Sequence, residues 1–303
     1  MTRSNEGFRS DELRSALGEA VAGRPARLET LLSTAGLVRA GRPSLALAVA
    51  FGAEVESLPG ALAPLLTRLA SDDAAPDAPR VYLPIVAAYG WAARIRAGRE
   101  VEPAWAGLAE LAADFRVPVR LGTLDTLTAL CARDAGADEL LARAQSWLEH
   151  DDRDLRLASA ALVLEVLSAR QVLTGVREVE AVLGYLSRVS AEIADAPRSA
   201  ERWESRRRAL RSLPLAFATA VAWPRAGEQA RRWFEAECTA ATHPDLRAAL
   251  SQAIVLLSSD ARTKDQRAAE AARTALEASA KPLRDPTRLR PGTGRGKSTR
   301  RTR

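Results

Sequence analysis

Near its carboxyl end the chain contains the stretch GTGRGKST (292–299), which ends in the Gly-Lys-Ser/Thr of a phosphate-binding loop. That motif requires a glycine five residues before Gly296, and Pro291 occupies this position. It also requires a preceding strand and a following helix whose backbone N–H groups hold the phosphate, whereas the residues before this stretch are rich in proline. We therefore expect no nucleotide-binding site here.

The side chains most often used in nucleophilic and metal chemistry are few. The chain has two histidines, His150 and His243, and two cysteines, Cys131 and Cys238, without the Cys-x-x-Cys or His-x-x-x-His spacing of a zinc site. The acidic run at 151–154 suits the cap of a following helix better than a metal site, since no third ligand group is evident. We expect no cofactor, no metal and no catalytic function; a thiol enzyme or a pair of catalytic acids is the alternative.

A basic cluster with an aromatic residue lies at 202–211. Its candidate binding residues are Trp203, Arg206, Arg207, Arg208 and Arg211. Arginines in such a cluster can contact phosphates, and the tryptophan offers a face for base stacking. The structural alternative is a solvated helix start in which neighbouring glutamates balance the arginines, and charge runs favour that interpretation.

A second basic segment covers residues 281–303. It has nine lysines and arginines against one aspartate, whereas the whole chain has a net charge of +6, so residues 1–280 are close to neutral. Its proline and glycine content and its few apolar residues predict a disordered arm that would attract nucleic acid or another polyanion. An unselected basic tail without a ligand is the alternative. The candidate contact residues of the arm are Arg295, Lys297, Arg300, Arg301 and Arg303.

The rest of the chain must supply the elements that position these residues, and its composition favours helices. Hydrophobic residues make up 47% and aromatic residues 5% of the sequence, and helix formers carry most of the apolar content. The first residues are polar, and the longest uncharged apolar stretch, 43–53, is too short to span a bilayer. We expect an all-α protein in a bacterial-type cytoplasm, with no membrane segment.

An internal repeat organises the helical region. Each copy has a turn, an apolar residue, an arginine and then an apolar helix, and most intervals lie near the roughly 40–47 residues of two-helix repeats. The anchor arginines are Arg42, Arg80, Arg120, Arg156, Arg207 and Arg247. In four copies an apolar residue of the predicted core stands ten positions later, namely Leu130, Val166, Phe217 and Leu257.

Further apolar stripes with a 3.6-residue period predict partner helices between the anchors. They cover residues 58–69, 104–115, 140–148, 176–193 and 228–238. The predicted regions are an N-terminal helical cap (1–23), about six helix pairs (24–258), a C-terminal capping helix (259–280) and the disordered tail (281–303). Leu124, Val163 and Ile254 are further predicted core residues on the anchored helices.

The anchored segments resemble the HEAT repeat family, an armadillo-like α-solenoid. In that family the second helix of each unit opens on an Asp-x-x-x-x-Val-Arg pattern. Asp114 to Arg120 match this pattern in full, and Arg156 and Arg247 match its end, each after a leucine. The resemblance implies stacked helix pairs, in which Asp114, Arg120, Arg156 and Arg247 are structural ties between successive pairs.

The same resemblance bears on function, because HEAT-like solenoids are a binding architecture. It implies a non-catalytic scaffold or adaptor that holds a protein partner on the face built by the second helices. The alternative is a nucleic-acid protein, either a simple binder through the two basic segments or an enzyme resembling the DNA alkylation repair glycosylases. The identity of the partner, the face that is used and the oligomeric state stay open at the level of the sequence.

Removal of the basic arm tests its predicted role. We expect truncation after Ala280 to leave the melting temperature almost unchanged, because residues 281–303 offer little apolar surface to pack. The truncation should weaken nucleic-acid binding at low salt, since its nine basic residues would no longer displace counterions. The measurement is a titration of both proteins against a labelled duplex at two salt concentrations; equal affinities would show that the arm does not bind.

Overall fold

The computed structural model describes residues 3–38, 42–133 and 136–279. These residues form fifteen α-helices, two 3-10 turns and one antiparallel ladder of two residues per strand. The prediction of an all-helical protein is confirmed for this part of the chain, which contains no parallel sheet. None of its helices is long and apolar enough to cross a membrane.

The helices fall into two layers after an amino-terminal group. That group comprises α1 (Arg3–Val21), α2 (Ala26–Ala35), β1 (Leu37–Val38) and β2 (Arg42–Pro43). The second-helix layer comprises α3 (Leu45–Ser57), α5 (Tyr82–Arg96), α7 (Val117–Cys131), α9 (Arg153–Leu167), α12 (Glu204–Val221) and α14 (Pro244–Ser259). The first-helix layer comprises α4 (Ala63–Ala70), α6 (Val101–Ala112), α8 (Gly136–Trp147), α11 (Val179–Ala194), α13 (Gly227–Ala240) and α15 (Gln266–Ala278).

Helices of the second-helix layer contact one another in series, from α3 through α5, α7, α9 and α12 to α14. In the first-helix layer α4 contacts α6, and α8, α11, α13 and α15 form a continuous series. The helices α4, α6, α8 and α11 each pack against the second helix that follows them. Most contacts therefore join helices that are close in the chain.

Small residues let consecutive second helices approach closely. A Cβ atom on Gly122 of α7 would lie 2.7 Å from Cγ2 of Ile85 on α5, and one on Gly52 of α3 would lie 3.2 Å from the carbonyl oxygen of Tyr89. A larger side chain at either place would push the helices apart. Between these neighbours α5 is buried along its length, from Tyr82 to Ile95.

The core contains most of the apolar positions that the repeat predicted. All four residues ten positions after an anchor are buried: Leu130, Val166, Phe217 and Leu257. Val163 and Ile254 are buried as well. Leu124 is only half-buried and packs against the edge of the core, because α7 exposes one of its faces.

Two insertions explain the long interval between Arg156 and Arg207. One is the short helix α10 (Arg170–Thr174), and the other is the 3-10 turn Arg198–Arg202 that precedes α12. At the other end of the described chain, the helix expected at 259–280 begins only at Gln266. Asp265 caps it by accepting a hydrogen bond from the backbone N–H of Ala268.

Arg156 and Arg247, two of the residues expected to connect successive helix pairs, each contact the next first helix along the chain. Nη1 of Arg156 lies 3.4 Å from Oε1 of Glu192 on α11, and Nη2 of Arg247 donates to the carbonyl oxygen of Leu276 near the end of α15, at 2.8 Å. Arg120 does not behave in this way. It donates to the carbonyl oxygens of Asp114, at 3.0 Å, and Phe115, in the turn before its own helix. Arg120 was expected to connect successive helix pairs, but its hydrogen bonds stay within its own turn and helix.

Arg116, rather than Arg120, connects the start of α7 to the loop after α4. Its buried guanidinium pairs with Asp114, with 2.6 Å between Nη2 and Oδ2. Its Nη1 donates to the carbonyl oxygens of Asp72, at 2.7 Å, and Ala74, at 3.0 Å, in the loop after α4. Asp114 thus takes part in a tie between pairs through Arg116, a residue that the repeat pattern does not include.

A pair of valine substitutions tests the helix phase. Val163→Asp on α9 should lower the free energy of unfolding by roughly 3–5 kcal/mol, because the carboxylate would be buried without a partner. The same change at Val255, which is exposed on α14, should alter stability only slightly. Chemical denaturation of both variants measures the difference. Similar stabilities of the two variants would contradict the assignment of buried and exposed faces.

Candidate binding surface on the second helices

Exposed apolar side chains are distributed unevenly between the two helical layers. Eight large apolar side chains are exposed in the described residues: Val21, Leu45, Val49, Phe115, Val117, Leu121, Leu155 and Val255. Six of them lie on second helices, Phe115 lies in the turn before α7, and Val21 lies on α1. The first helices carry none of them. The exposed large apolar side chains of the described residues therefore concentrate on the second helices.

The largest group of these side chains is at the start of α7. Phe115, Val117 and Leu121 form what we term the α7 patch, with exposed fractions of 76%, 54% and 55%. Val117 and Leu121 are one turn apart and share a face, which continues one turn later with the exposed Asp125. The carboxylate of Asp125 accepts a hydrogen bond from the hydroxyl of Tyr89 at 2.5 Å. Burial, together with this carboxylate, raises the pKa of Tyr89.

The segment 202–211 is not a free basic face. Trp203 is half-buried and packs against the core. Arg206 is buried, and its Nη2 lies 2.9 Å from Oδ2 of Asp245 on α14. Burial and this ion pair favour a structural role for Arg206, and binding through Trp203 stays a prediction. The sequence pattern did not reveal this because adjacent helical residues point in different directions.

The exposed arginines of this segment share one carboxylate. Arg207 and Arg211 are more than half exposed, and they pair with Glu204 at 3.4 Å and 2.6 Å. The hydrogen bond from Arg211, with the charges nearby, lowers the pKa of Glu204. Much of the positive charge that the sequence shows at this surface is therefore balanced locally.

Arg208 is buried between α12 and α9. The nearest carboxylate is that of Glu165 on α9, with 3.9 Å between Nη2 and Oε1. Burial lowers the pKa of Arg208 to about 10, and the positive charge of Arg120 on α7 acts in the same direction. The structure thus brings together Arg120, Arg208, Arg211, Glu165 and Glu204, which we term the arginine cluster.

Sequence reasoning missed two members of this cluster. Glu165 stands nine residues after the anchor Arg156, on a helix that is otherwise buried from Leu157 to Leu167. Arg120 was assigned a structural role. A polar residue within an apolar helix is the signal that could have identified Glu165.

The candidate residues of the basic arm lie outside the described residues: Arg295, Lys297, Arg300, Arg301 and Arg303. Binding by the arm stays a prediction.

The histidines and the acidic run lie in turns. Nδ1 of His150 accepts a hydrogen bond from the backbone N–H of Asp152, at 2.9 Å, and Nδ1 of His243 accepts one from that of Asp245, at 3.2 Å. Asp152 caps α9, accepting from the backbone N–H of Asp154 at 2.8 Å, which confirms the predicted capping role. Across the described ranges, no three His, Cys, Asp or Glu side chains cluster in a way that could hold a metal ion.

Two cavities border the first helices. The cavity between α11, α13 and α14 has a volume of about 270 Å³ and an apolar floor that includes Phe217 and Leu246. At this cavity Ser187 accepts a hydrogen bond from Trp233 at 2.9 Å and donates one to Glu237 at 2.5 Å. A second cavity, of about 380 Å³, separates α8 from α11. In the first cavity the hydroxyl of Ser187 thus lies against the carboxylate of Glu237, and His243 belongs to the same lining.

The two thiols provide a chemical test of this geometry. Cys131 and Cys238 are buried, and burial raises the pKa of each thiol to about 12. Because pH 8 lies far below these values, both thiols should stay protonated and unreactive in the native protein. We expect mass spectrometry to show no alkylation by iodoacetamide at pH 8, and two modified cysteines per chain in denaturant. Rapid alkylation of native Cys131 would instead indicate an accessible thiolate.

Comparison of the chain with protein-family models, curated proteins and solved structures finds no match.

Proposed function

We propose that this protein is an α-solenoid of HEAT-like helix pairs that acts as a non-catalytic scaffold and binds a protein partner on its second-helix face. The observation that carries this proposal is the uneven distribution of exposed apolar side chains, which favours the second helices over the first. Single exposed apolar residues are ordinary, but their concentration on one of two layers is typical of an interaction surface.

The packing of the helices supports the solenoid part of the proposal. Second helices contact one another in series, and small residues such as Gly52 and Gly122 stand at the closest approaches. Contacts between neighbouring units are the defining property of repeat proteins, whose extended surfaces bind partners. The proposed solenoid has about six helix pairs and is followed by a disordered tail.

The α7 patch is the part of the face that best suits a protein partner. A partner that covered Phe115, Val117 and Leu121 would gain about 1.5–3 kcal/mol for each side chain that it buried fully. Asp125 and Arg120 lie on the same helix as the patch, and they would supply part of the polar rim that surrounds the apolar centre of most interfaces.

The basic arm at 281–303 supports nucleic acid as a second candidate partner. The folded region supports it less, because Arg206 and Arg208 are buried and Arg207 and Arg211 are paired with Glu204. A glycosylase would also need exposed aromatic side chains to hold a flipped base. The tryptophans of the chain are all buried or half-buried: Trp91, Trp105, Trp147, Trp203, Trp223 and Trp233.

The state of the two cysteines is evidence for the cellular compartment in which the protein works. Both are free thiols, which favours a reducing environment, and we place the scaffold in the cytoplasm as part of the proposal.

Substitution of the α7 patch tests the proposed function. In the double variant Val117→Asp and Leu121→Asp, two exposed apolar side chains become charged, which should leave the fold intact. Capture of protein partners from a nuclease-treated lysate should fall by about tenfold or more, because the partner would lose two apolar contacts. Quantitative mass spectrometry of the captured proteins measures this loss.

Val21→Asp is the matched control, since Val21 is 48% exposed but lies on α1, away from the second helices. This variant should capture the same partners as the wild type. Equal capture by all three proteins would contradict partner binding at the α7 patch. Capture that disappears with nuclease alone would favour the nucleic-acid candidate.

A further inference from the structure

Small residues on α11 and α13 leave space between these helices, whereas in the second-helix layer they bring helices together. The cavity that results has a volume of about 270 Å³, and we term it the α11–α13 cavity. On α11 its lining repeats at helical spacing, so these residues share one face of the helix. The small residues of the two walls are Ser187, Ser190, Ala191 and Ala194 on α11 and Ala240 and Ala241 on α13.

The floor of the cavity is apolar and well packed. Phe217 from α12 and Leu246 and Leu250 from α14 are buried and line it. The ring of Phe217 is held by Trp233 and Phe234, with centroids 5.4 Å and 5.7 Å away. At about 30 Å³ for each water, the volume would hold about nine waters, or an organic molecule with a similar number of non-hydrogen atoms. A small molecule with an apolar part therefore suits this space.

Glu237 is fixed at the wall of the cavity by a chain of hydrogen bonds. The indole N–H of Trp233 donates to the hydroxyl of Ser187 at 2.9 Å, and that hydroxyl donates to Oε1 of Glu237 at 2.5 Å. None of the ion pairs among the described residues includes Glu237, whereas Glu228 on the same helix pairs with two arginines. The half-buried carboxylate of Glu237 is thus oriented but keeps capacity to accept further hydrogen bonds.

The lining of the cavity carries one formal charge at pH 8, that of Glu237. His243 is the other lining residue that titrates below pH 8. Its Nδ1 accepts a hydrogen bond from the backbone N–H of Asp245 at 3.2 Å, and burial lowers the pKa of the ring. At pH 8 the ring is therefore neutral, with its proton on Nε2. The cavity combines an apolar floor with a single negative charge, which favours a cation that has an apolar body.

We propose that the α11–α13 cavity binds a small organic amine, whose ammonium group pairs with Glu237 and whose apolar part packs on Phe217. An ammonium group is a compact charge with three N–H donors, so it can pair with the carboxylate while Ser187 keeps its own hydrogen bond. The aromatic floor also tolerates a positive charge nearby, because the face of the ring is electron-rich. This site is separate from the α7 patch and does not rest on the proposed function.

The test is equilibrium dialysis of the full chain at pH 8 against 2-phenylethylamine, whose size suits the cavity. The amine is protonated at this pH, since the pKa of an alkylamine is about 10. We expect saturable binding of one molecule per chain. 2-Phenylethanol has the same shape without the charge and should bind about tenfold more weakly or worse. Ethylamine keeps the charge without the aromatic body and should bind more weakly as well, because it buries less apolar surface.

Two glutamate variants on α13 separate a specific ion pair from general attraction between charges. Glu237→Gln keeps the shape of the side chain and removes its charge, so it should weaken binding of 2-phenylethylamine by about tenfold or more. Glu235→Gln is the matched control. It changes the net charge of the protein by the same amount, but Glu235 is exposed and is not part of the lining, so binding should stay unchanged.

A third variant tests the cavity itself without altering any charge. Ala191→Leu places a larger side chain in the wall at an exposed helical position, so the protein should fold and lose most of its binding. Melting temperatures of the variants verify folding. The proposal is overturned if the wild type does not bind the amine saturably, if 2-phenylethanol binds equally well, or if folded Glu237→Gln and Ala191→Leu bind like the wild type.

Discussion

The close approach of consecutive second helices is the constraint on which the other features of this structure depend. A Cβ atom on Gly122 would lie 2.7 Å from Ile85, and one on Gly52 would lie 3.2 Å from the backbone of Tyr89, so a larger residue at either position would require its neighbour to shift. Helices packed this tightly bury their neighbours on several sides, as α5 shows from Tyr82 to Ile95. Polar groups on such helices lose contact with water, so each must find a partner within the protein.

Arg94 shows how the fold meets that requirement. Its guanidinium donates to Glu100 at 2.9 Å and to the carbonyl oxygens of Leu58 and Gly60 at 3.0 Å and 2.6 Å. Glu100 in turn accepts hydrogen bonds from backbone N–H groups at the start of α4. Burial of Glu100 opposes its ionisation, but these donors outweigh burial and lower its pKa. One buried ion pair therefore fixes the end of one helix and the start of another.

The order of the helices and much of the core could be predicted from the sequence, because apolar periodicity is a local property. Val163 and Ile254 illustrate this, since their neighbours within one helix already define the buried face. The partners of the arginines could not be predicted in the same way. Arg206 and Arg208 look alike in sequence, but Arg206 pairs with Asp245 of α14 at 2.9 Å, whereas the carboxylate nearest to Arg208 is that of Glu165 on α9, at 3.9 Å. Such contacts depend on how separate helices pack, which no local pattern records.

Arginine suits this architecture because its planar fork can bind several acceptors at once, whereas a lysine offers a single charged point. Arg116 uses that property to join Asp114 to a loop of the preceding unit. A buried arginine that serves the fold is therefore recognised by its acceptors within the chain. Arg208 shows the looser case, since its nearest carboxylate, that of Glu165, lies 3.9 Å away, whereas Arg94, Arg116 and Arg206 all have acceptors within 3 Å.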